Sequence, residues 1–398
     1  MEKEKLIRIF RLGIVLLAFG VIAIKNYQLF GNDLLSNTGD YSSHAIRPLF
    51  LLKDYSFTEE WYNGTPLFKY YPPVSMIINT FFYILIRDLG LALSFSMLFL
   101  QLIFGLICKT IAKAIGNRRD GAFAAIVMLA STISVGRFFN AGRYGEFAGF
   151  VMLFLWLAAC LSFYGKPSNR NIAFVFFAAL LASLTHFLEA IMLIALYCAI
   201  AGMYLIASKG KEKIRKLLLI SLAGSAPSII FWAPFIADSN KSSIIGTAFS
   251  GYIWLIGGLF LLMIAGLFIM QNRSAVSALL AFLLIAYGLG KVAYFPPQLQ
   301  DDFKGLQMDG KYFALQEVSV TVYSVLAARG FKSAWGNYDP AASSEQIEKY
   351  YATGPDCKSL EEFAKYSNAK NVVASSTNLS ECGFIKIYSG RLSVFKIP

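Results

Sequence analysis

Between residues 8 and 294 the chain passes through eight apolar stretches of near membrane-spanning length, at about 8–30, 120–136, 147–164, 171–185, 188–207, 217–235, 251–270 and 275–294. A helix needs about 20 apolar residues to cross a hydrocarbon core of about 30 Å. The chain is 57% hydrophobic with a mean hydropathy of +0.56. A soluble domain of this size cannot bury so much apolar surface, so lipid is the expected solvent for most of it. The N-terminal run is long and no small-residue cleavage site follows it. It therefore reads as a retained first transmembrane helix rather than a signal peptide.

A further apolar block, 72–112, is interrupted by Arg87-Asp88-Leu89-Gly90, and its topology sets the side of every later loop. With the basic N-terminus inside, residues 31–71 lie outside. If 72–112 makes one net crossing, Lys109, Lys113, Arg118, Arg119, Lys166, Arg170, the run SKGKEKIRK (208–216) and Arg273 all fall inside. Two crossings would put all of these cations outside, against the positive-inside rule. One net crossing predicts about nine full spans, with part of the block, after Pro73, lying along the interface or re-entering. The chain then reads as a polytopic α-helical membrane protein of the cell membrane with a cytoplasmic N-terminus.

The same parity gathers the polar segments on the outer side: residues 31–71, GRFFNAGRYGEF (136–147), THFLEA (185–190), ADSNKSS (237–243) and the tail. The formal charge of +12 is spread over short inter-helix segments, which argues against a nucleic-acid surface. The tail, 296–398, is polar and mixed and reads as a small extracytoplasmic α+β domain beside a transmembrane domain of 1–295. SSEQIEKYYA and SLEEFAKYS read as helices, with Ser359 and Glu362 as a capping box. KNVVASS reads as a strand, and GFIKIYSGRLSVFKIP as a hairpin turning at Ser389-Gly390. Of five cysteines, Cys108, Cys160 and Cys198 read as core residues, whereas Cys357 and Cys382 are a candidate disulfide in an oxidising compartment.

Candidate chemistry concentrates in the first outer loop, 31–73. If 40–54 is helical, Asp40, His44 and Arg47 share one face. A carboxylate, an imidazole and a guanidinium together suit phosphate binding and proton abstraction. The plainer reading makes Asp40 an N-cap. KYYPP (69–73) reads either as a rigid helix start with interfacial tyrosines or, with Lys69, Tyr70 and Tyr71, as a contact for a phosphate-bearing lipid. Arg143 and Glu146 form either an ion pair at a helix end or part of a site. His186 and Glu189 line a cavity or bond each other. With two histidines in all and no CxxC or HExxH spacing, a structural zinc site is excluded. No P-loop or GxGxxG supports a nucleotide cofactor.

The segments GDYSSHAIRPLFLLKDYSF, EEWYNGTPLFKYYPP, RYGEFAGF and LTHFLEAI resemble prokaryotic multi-pass membrane proteins related to 6-pyruvoyl-tetrahydropterin synthase. That family is similar to the GT-C glycosyltransferases, and the resemblance covers roughly 8–295. It implies a GT-C-like fold and sugar transfer from a polyprenyl-phosphate donor at the outer face, in cell-envelope glycosylation, to a glycan, lipid or protein acceptor. Asp40 would be general base or ligand to a divalent metal (Mg or Mn). His44 would orient the acceptor, and Arg47, Trp61, Lys69, Tyr70, Tyr71, Arg143, Glu146 and His186 would form the substrate site. Asp33 is too distant from Asp40 for a DxD pair. Pterin chemistry is excluded, since it needs a multi-histidine zinc site that this chain lacks. Two other classes remain open: a non-catalytic scaffold with a partner-binding tail, and a lipid or polysaccharide transporter. The near absence of mid-helix charge weighs against the transporter.

Overall fold

The computed structural model describes residues 2–31, 41–53, 57–58, 65–66, 73–114, 143–206, 210–237 and most of 303–398. The apolar runs at 120–136, 251–270 and 275–294, KYYPP before Pro73, and ADSNKSS beyond Ala237 lie outside the described residues, as does most of SSEQIEKYYA. The helices are α1 (Glu2–Gly31), α2 (Tyr41–Lys53), α3 (Pro73–Ile86), α4 (Leu89–Ala114), α5 (Tyr144–Gly165), α6 (Asn169–Ser183), α7 (Phe187–Ile206), α8 (Lys211–Ser225) and α9 (Ile229–Ala237). A short antiparallel pair, β1 (Phe57–Thr58) with β2 (Thr65–Pro66), lies between α2 and α3.

The chain is predominantly helical. Among the described residues, Leu89–Ile111, Tyr144–Gly165 and Lys211–Ala233 are long and apolar enough to cross a membrane. Leu12–Tyr27, Pro73–Ile86, Asn169–Ser183 and Glu189–Cys198 are shorter apolar helices. By length and composition the first three are the candidate spans among the described residues. The interruption in 72–112 is real: Arg87 takes a left-handed φ of 61°, and Asp88 Oδ1 accepts from Leu91 N to start α4. At 14 residues, α3 rises only about 21 Å, short of a full crossing. The span expected at 217–235 falls largely within Lys211–Ala233, but its helix is not uniform: Pro227 lacks an N–H to donate, and the chain tightens into a 3-10 turn at Ala226–Ser228 between α8 and α9. Cys108 and Cys160 are buried as expected, but Cys198 is exposed on α7.

The short helix α3 ties together three remote segments. Pro48 lies inside α2, so the His44 carbonyl loses the donor four residues on. Asn79 of α3 replaces that donor, with its Nδ2 2.8 Å from His44 O. In the first turn of α3, Tyr144 Oη donates to Ser75 O at 3.0 Å, and Val74 N donates to Leu184 O at 3.3 Å. The end of α1 is closed similarly, because Ser94 Oγ donates to Leu29 O at 2.7 Å. α6 and α8 meet where Gly224 approaches the Phe176 carbonyl; a methyl group at 224 would lie 2.4 Å from that oxygen.

In the tail, β3 (Lys311–Ala314), β4 (Ala369–Ala374), β5 (Ile385–Ser389) and β6 (Ser393–Lys396) form a sheet in the order β3-β4-β6-β5. β3 and β4 are parallel, and the connection between them carries α10 (Cys357–Ser367). β5 and β6 form the expected antiparallel hairpin. Phe313 and Phe363 pack edge to face at 4.9 Å, seating α10 on the sheet. Cys357 and Cys382 are disulfide-bonded, joining α10 to the turn before β5. One detail corrects the sequence reading. The N-cap of α10 is Asp356, whose Oδ1 accepts from Ser359 N at 3.0 Å. Ser359 instead donates its hydroxyl to Asp356 Oδ2 at 2.6 Å. The acid accepts without surrendering a proton, so it takes the cap from the serine.

The brace through α3 is testable as a coupling. Asn79→Ala leaves the buried His44 carbonyl without its side-chain donor and is expected to cost about 1–3 kcal/mol. In a Pro48→Ala background, where the backbone donor returns, the same change is expected to cost less. Thermal unfolding of the four proteins in detergent measures the difference, and equal costs in the two backgrounds would refute the substitution of donors.

Candidate functional site

The site forms on one face of α5. Gly145 and Gly149 are four residues apart and therefore stacked on that face. Each glycine in a helix costs roughly 0.5–1 kcal/mol relative to alanine, so the pair needs a reason. The neighbours supply it. A methyl group at 145 would lie 3.3 Å from His44 Cε1 and 3.3 Å from His186 Cδ2. At 149 it would lie 2.8 Å from Glu189 Oε2. Both histidines of the chain and a buried carboxylate rest against a helix surface stripped of side chains.

Each polar group arrives on its own segment. α2 is helical across His44 and Arg47, as the spacing predicts, and both are buried. The His44 ring packs edge to face on Tyr144 at 5.5 Å. Arg143 stands at the N-cap position of α5, where its Nη1 donates to Glu146 Oε1 at 2.8 Å. The ion-pair reading of these two is correct, and Glu146 in the first turn also faces the positive end of the helix dipole. His186 sits in the turn before α7, and its Nδ1 is 2.6 Å from Glu189 Oε2 one turn on. In the neutral ring with Nδ1–H directed at the carboxylate, Nε2 is an acceptor; in the protonated ring it is a donor. Arg47 and Glu146 both lie within electrostatic range of the His186 ring.

The structure thus brings together His44, Arg47, Glu146 and His186, with Arg143 paired at the edge. Asp40, Trp61, Lys69, Tyr70 and Tyr71 lie outside the described residues. Sequence reasoning undervalued Glu189 and passed over Gly145, Gly149 and Asn79. The signal was present in RYGEFAGF, where a G-x-x-x-G spacing marks a helix face made for close approach. Among the described residues, no group of three or more His, Cys, Asp or Glu could hold a metal ion.

No family model matches this chain, and no curated protein is significantly similar to it. Function is therefore argued from the site itself.

The electrostatics of His44 are one-sided. Burial, followed by the Arg47 guanidinium and His186, holds its imidazole well below the usual 6.5. The neutral ring is thus favoured by folding, and protons bind the unfolded chain first. The stability it contributes is present above about pH 6.5 and declines as the pH falls below that. With only two histidines, a histidine-labelled sample gives two sets of ring signals, assigned by His186→Gln. The His44 set is expected not to titrate between about pH 8 and 5; a midpoint near its ordinary value would refute its burial. Separately, Gly149→Ala places a methyl against Glu189 and is expected to displace the His186–Glu189 pair, read as a shift of the His186 signals with those of His44 less affected.

Proposed function

We propose that this protein is a membrane glycosyltransferase that takes a sugar from a polyprenyl-phosphate-linked donor at the outer membrane face. The observation that most supports this reading is the convergence of His44, His186 and Glu189 on the glycine face of α5, with Arg47 buried nearby on α2. They come from loops that charge parity assigns to one side of the membrane. In this reading the chain is multi-pass with its N-terminus in the cytoplasm. The tail is extracytoplasmic, where the Cys357–Cys382 disulfide fits an oxidising compartment.

The chemistry follows from the group types. An acceptor hydroxyl attacks the anomeric carbon of the donor, and its proton passes to the Asp40 carboxylate. The new carbon–oxygen bond forms as the bond to the phosphate oxygen breaks, and polyprenyl phosphate leaves with the electron pair. Asp40 immediately precedes Tyr41, the first residue of α2, and is four residues before His44 in the sequence. Arg47 presents a planar guanidinium suited to the donor phosphate. His186, oriented by Glu189, offers Nε2 to an acceptor hydroxyl. Arg143 and Glu146 form the rim, to which the resemblance adds Trp61, Lys69, Tyr70 and Tyr71. The resemblance also admits a divalent ion at Asp40. Among the described residues there is no ligand cluster for it. No nucleotide or pterin enters the scheme.

The test is transfer from a polyprenyl-phosphate sugar in membranes containing the protein. Asp40→Asn is expected to lower turnover on the order of 10²- to 10⁴-fold, the usual contribution of a general base, with an unchanged unfolding temperature. A fully active Asp40→Asn protein would remove Asp40 from the chemistry.

A further inference from the structure

The turn that carries His186 is held from a side that neither the glycine face nor α3 supplies. A helix leaves its last carbonyls without intrahelical donors. Here α6 ends inside the protein, where Ser183 and Thr185 are both buried, so those carbonyls need partners. Leu184 N turns back to Leu180 O at 3.0 Å and Leu181 O at 3.3 Å, and the Thr185 hydroxyl also donates to Leu181 O. The carbonyls of Ser183 and Leu184 are met from remote elements. Leu184 O accepts from Val74 N at the start of α3. Ser183 O accepts from the indole of Trp232, whose Nε1 is 2.8 Å away.

Trp232 belongs to α9, which follows the 3-10 turn at Ala226–Ser228. Its indole carries a single donor and no acceptor, and a buried tryptophan ordinarily finds some partner for it. Trp156 shows the plain form of such a contact. Its Nε1 donates to Ser221 Oγ at 3.0 Å, tying the side chain of one helix to that of another. The Trp232 bond differs because it ends on the backbone, and only Leu184 and Thr185 separate that carbonyl from His186. His186 O in turn accepts from Ala190 N at 3.1 Å to open α7, and the ring Nδ1 lies 2.6 Å from Glu189 Oε2. Glu189 sets the ring from the α7 side, and the Ser183 carbonyl sets the backbone from the α6 side.

We infer that Trp232 is a positioning residue for His186: its N–H fixes the end of α6 and so holds the His186 ring against Gly145 and in reach of Glu189. The positioning does not depend on which reaction the site performs. Its effect on turnover rests on the glycosyl-transfer reading.

The experiment uses the full-length protein in detergent, labelled at its two histidines. Trp232→Phe removes the N–H and keeps an aromatic ring. Benzothienylalanine at 232 has sulfur in place of the N–H and nearly the same shape, so it reports on the bond even where the phenylalanine protein does not fold. In both, the His186 ring signals are expected to shift, and those of His44 to shift less. Trp156→Phe deletes a comparable buried indole bond and is expected to leave the His186 signals in place. In transfer assays the change at 232 is expected to lower kcat on the order of tenfold, as for a slightly misplaced group, with KM for the donor held within about twofold. Unshifted His186 signals in the benzothienylalanine protein, an equal shift in Trp156→Phe, or an unchanged kcat beside an active parent would each overturn the inference. A parent protein without transfer activity would remove the glycosyl-transfer reading, and the ring signals alone would then decide the role of Trp232.

Discussion

The absence of side chains at Gly145 and Gly149 is the constraint on which the candidate site depends. In lipid, helices gain nothing from burying apolar surface against each other, so close approach must come from small residues and polar contacts. Here the approach is not helix to helix but helix to polar side chains. The glycines let two imidazoles and a carboxylate lie against the backbone of α5, where larger residues would have held them away. Buried polar groups are costly unless mutually satisfied. The glycine face leaves room for the His186–Glu189 pair, whose 2.6 Å contact is made within one turn.

That face is useful only if α2, α5 and the turn before α7 keep their alignment, and α3 provides the alignment. It is too short to serve as a span, yet it contacts each of these segments through a backbone carbonyl or amide. The bonds run from Asn79 to His44, from Tyr144 to Ser75 and from Val74 to Leu184. The first exists because Pro48 withdraws a donor from α2. A helix-breaking residue in one element thus creates the acceptor that locks a second element to it. Proline in a membrane-associated helix is tolerated where a neighbour repays the lost bond, and Asn79 does so.

How legible this was from sequence depended on separation along the chain. Interactions within one turn were readable: Arg143 with Glu146 and His186 with Glu189 are both at i,i+3, and His44 with Arg47 share a helix face because the spacing requires it. The α3 interruption and the β5–β6 hairpin were readable as well, since breaker and turn residues act locally. The contacts that assemble the site were not. His44, Gly145 and His186 are some hundred and forty residues apart from first to last, and no periodicity links them. Glycines 145 and 149 looked like unremarkable members of an apolar run, because a missing side chain gains meaning only from what fills its place. The cap of α10 was misplaced by one turn for a related reason. Asp356 and Ser359 each match a cap pattern, and only the hydrogen-bond directions decide between them.

Around α5 the two described carboxylates are each held by a neighbour within one turn, Glu146 by Arg143 and Glu189 by His186. Such pairs are fixed by the helix or turn that carries both partners, whereas the closeness of the pairs to one another is fixed by the remote bonds through α3 and by the glycine face of α5. Local geometry thus sets the partners and tertiary geometry sets the site, so a change at Asn79 or Gly149 can disturb the site while leaving every i,i+3 pair chemically intact. An arrangement whose charges are already held in place has little to reorganise when charge develops beside it, which is the condition under which fixed charges act most strongly.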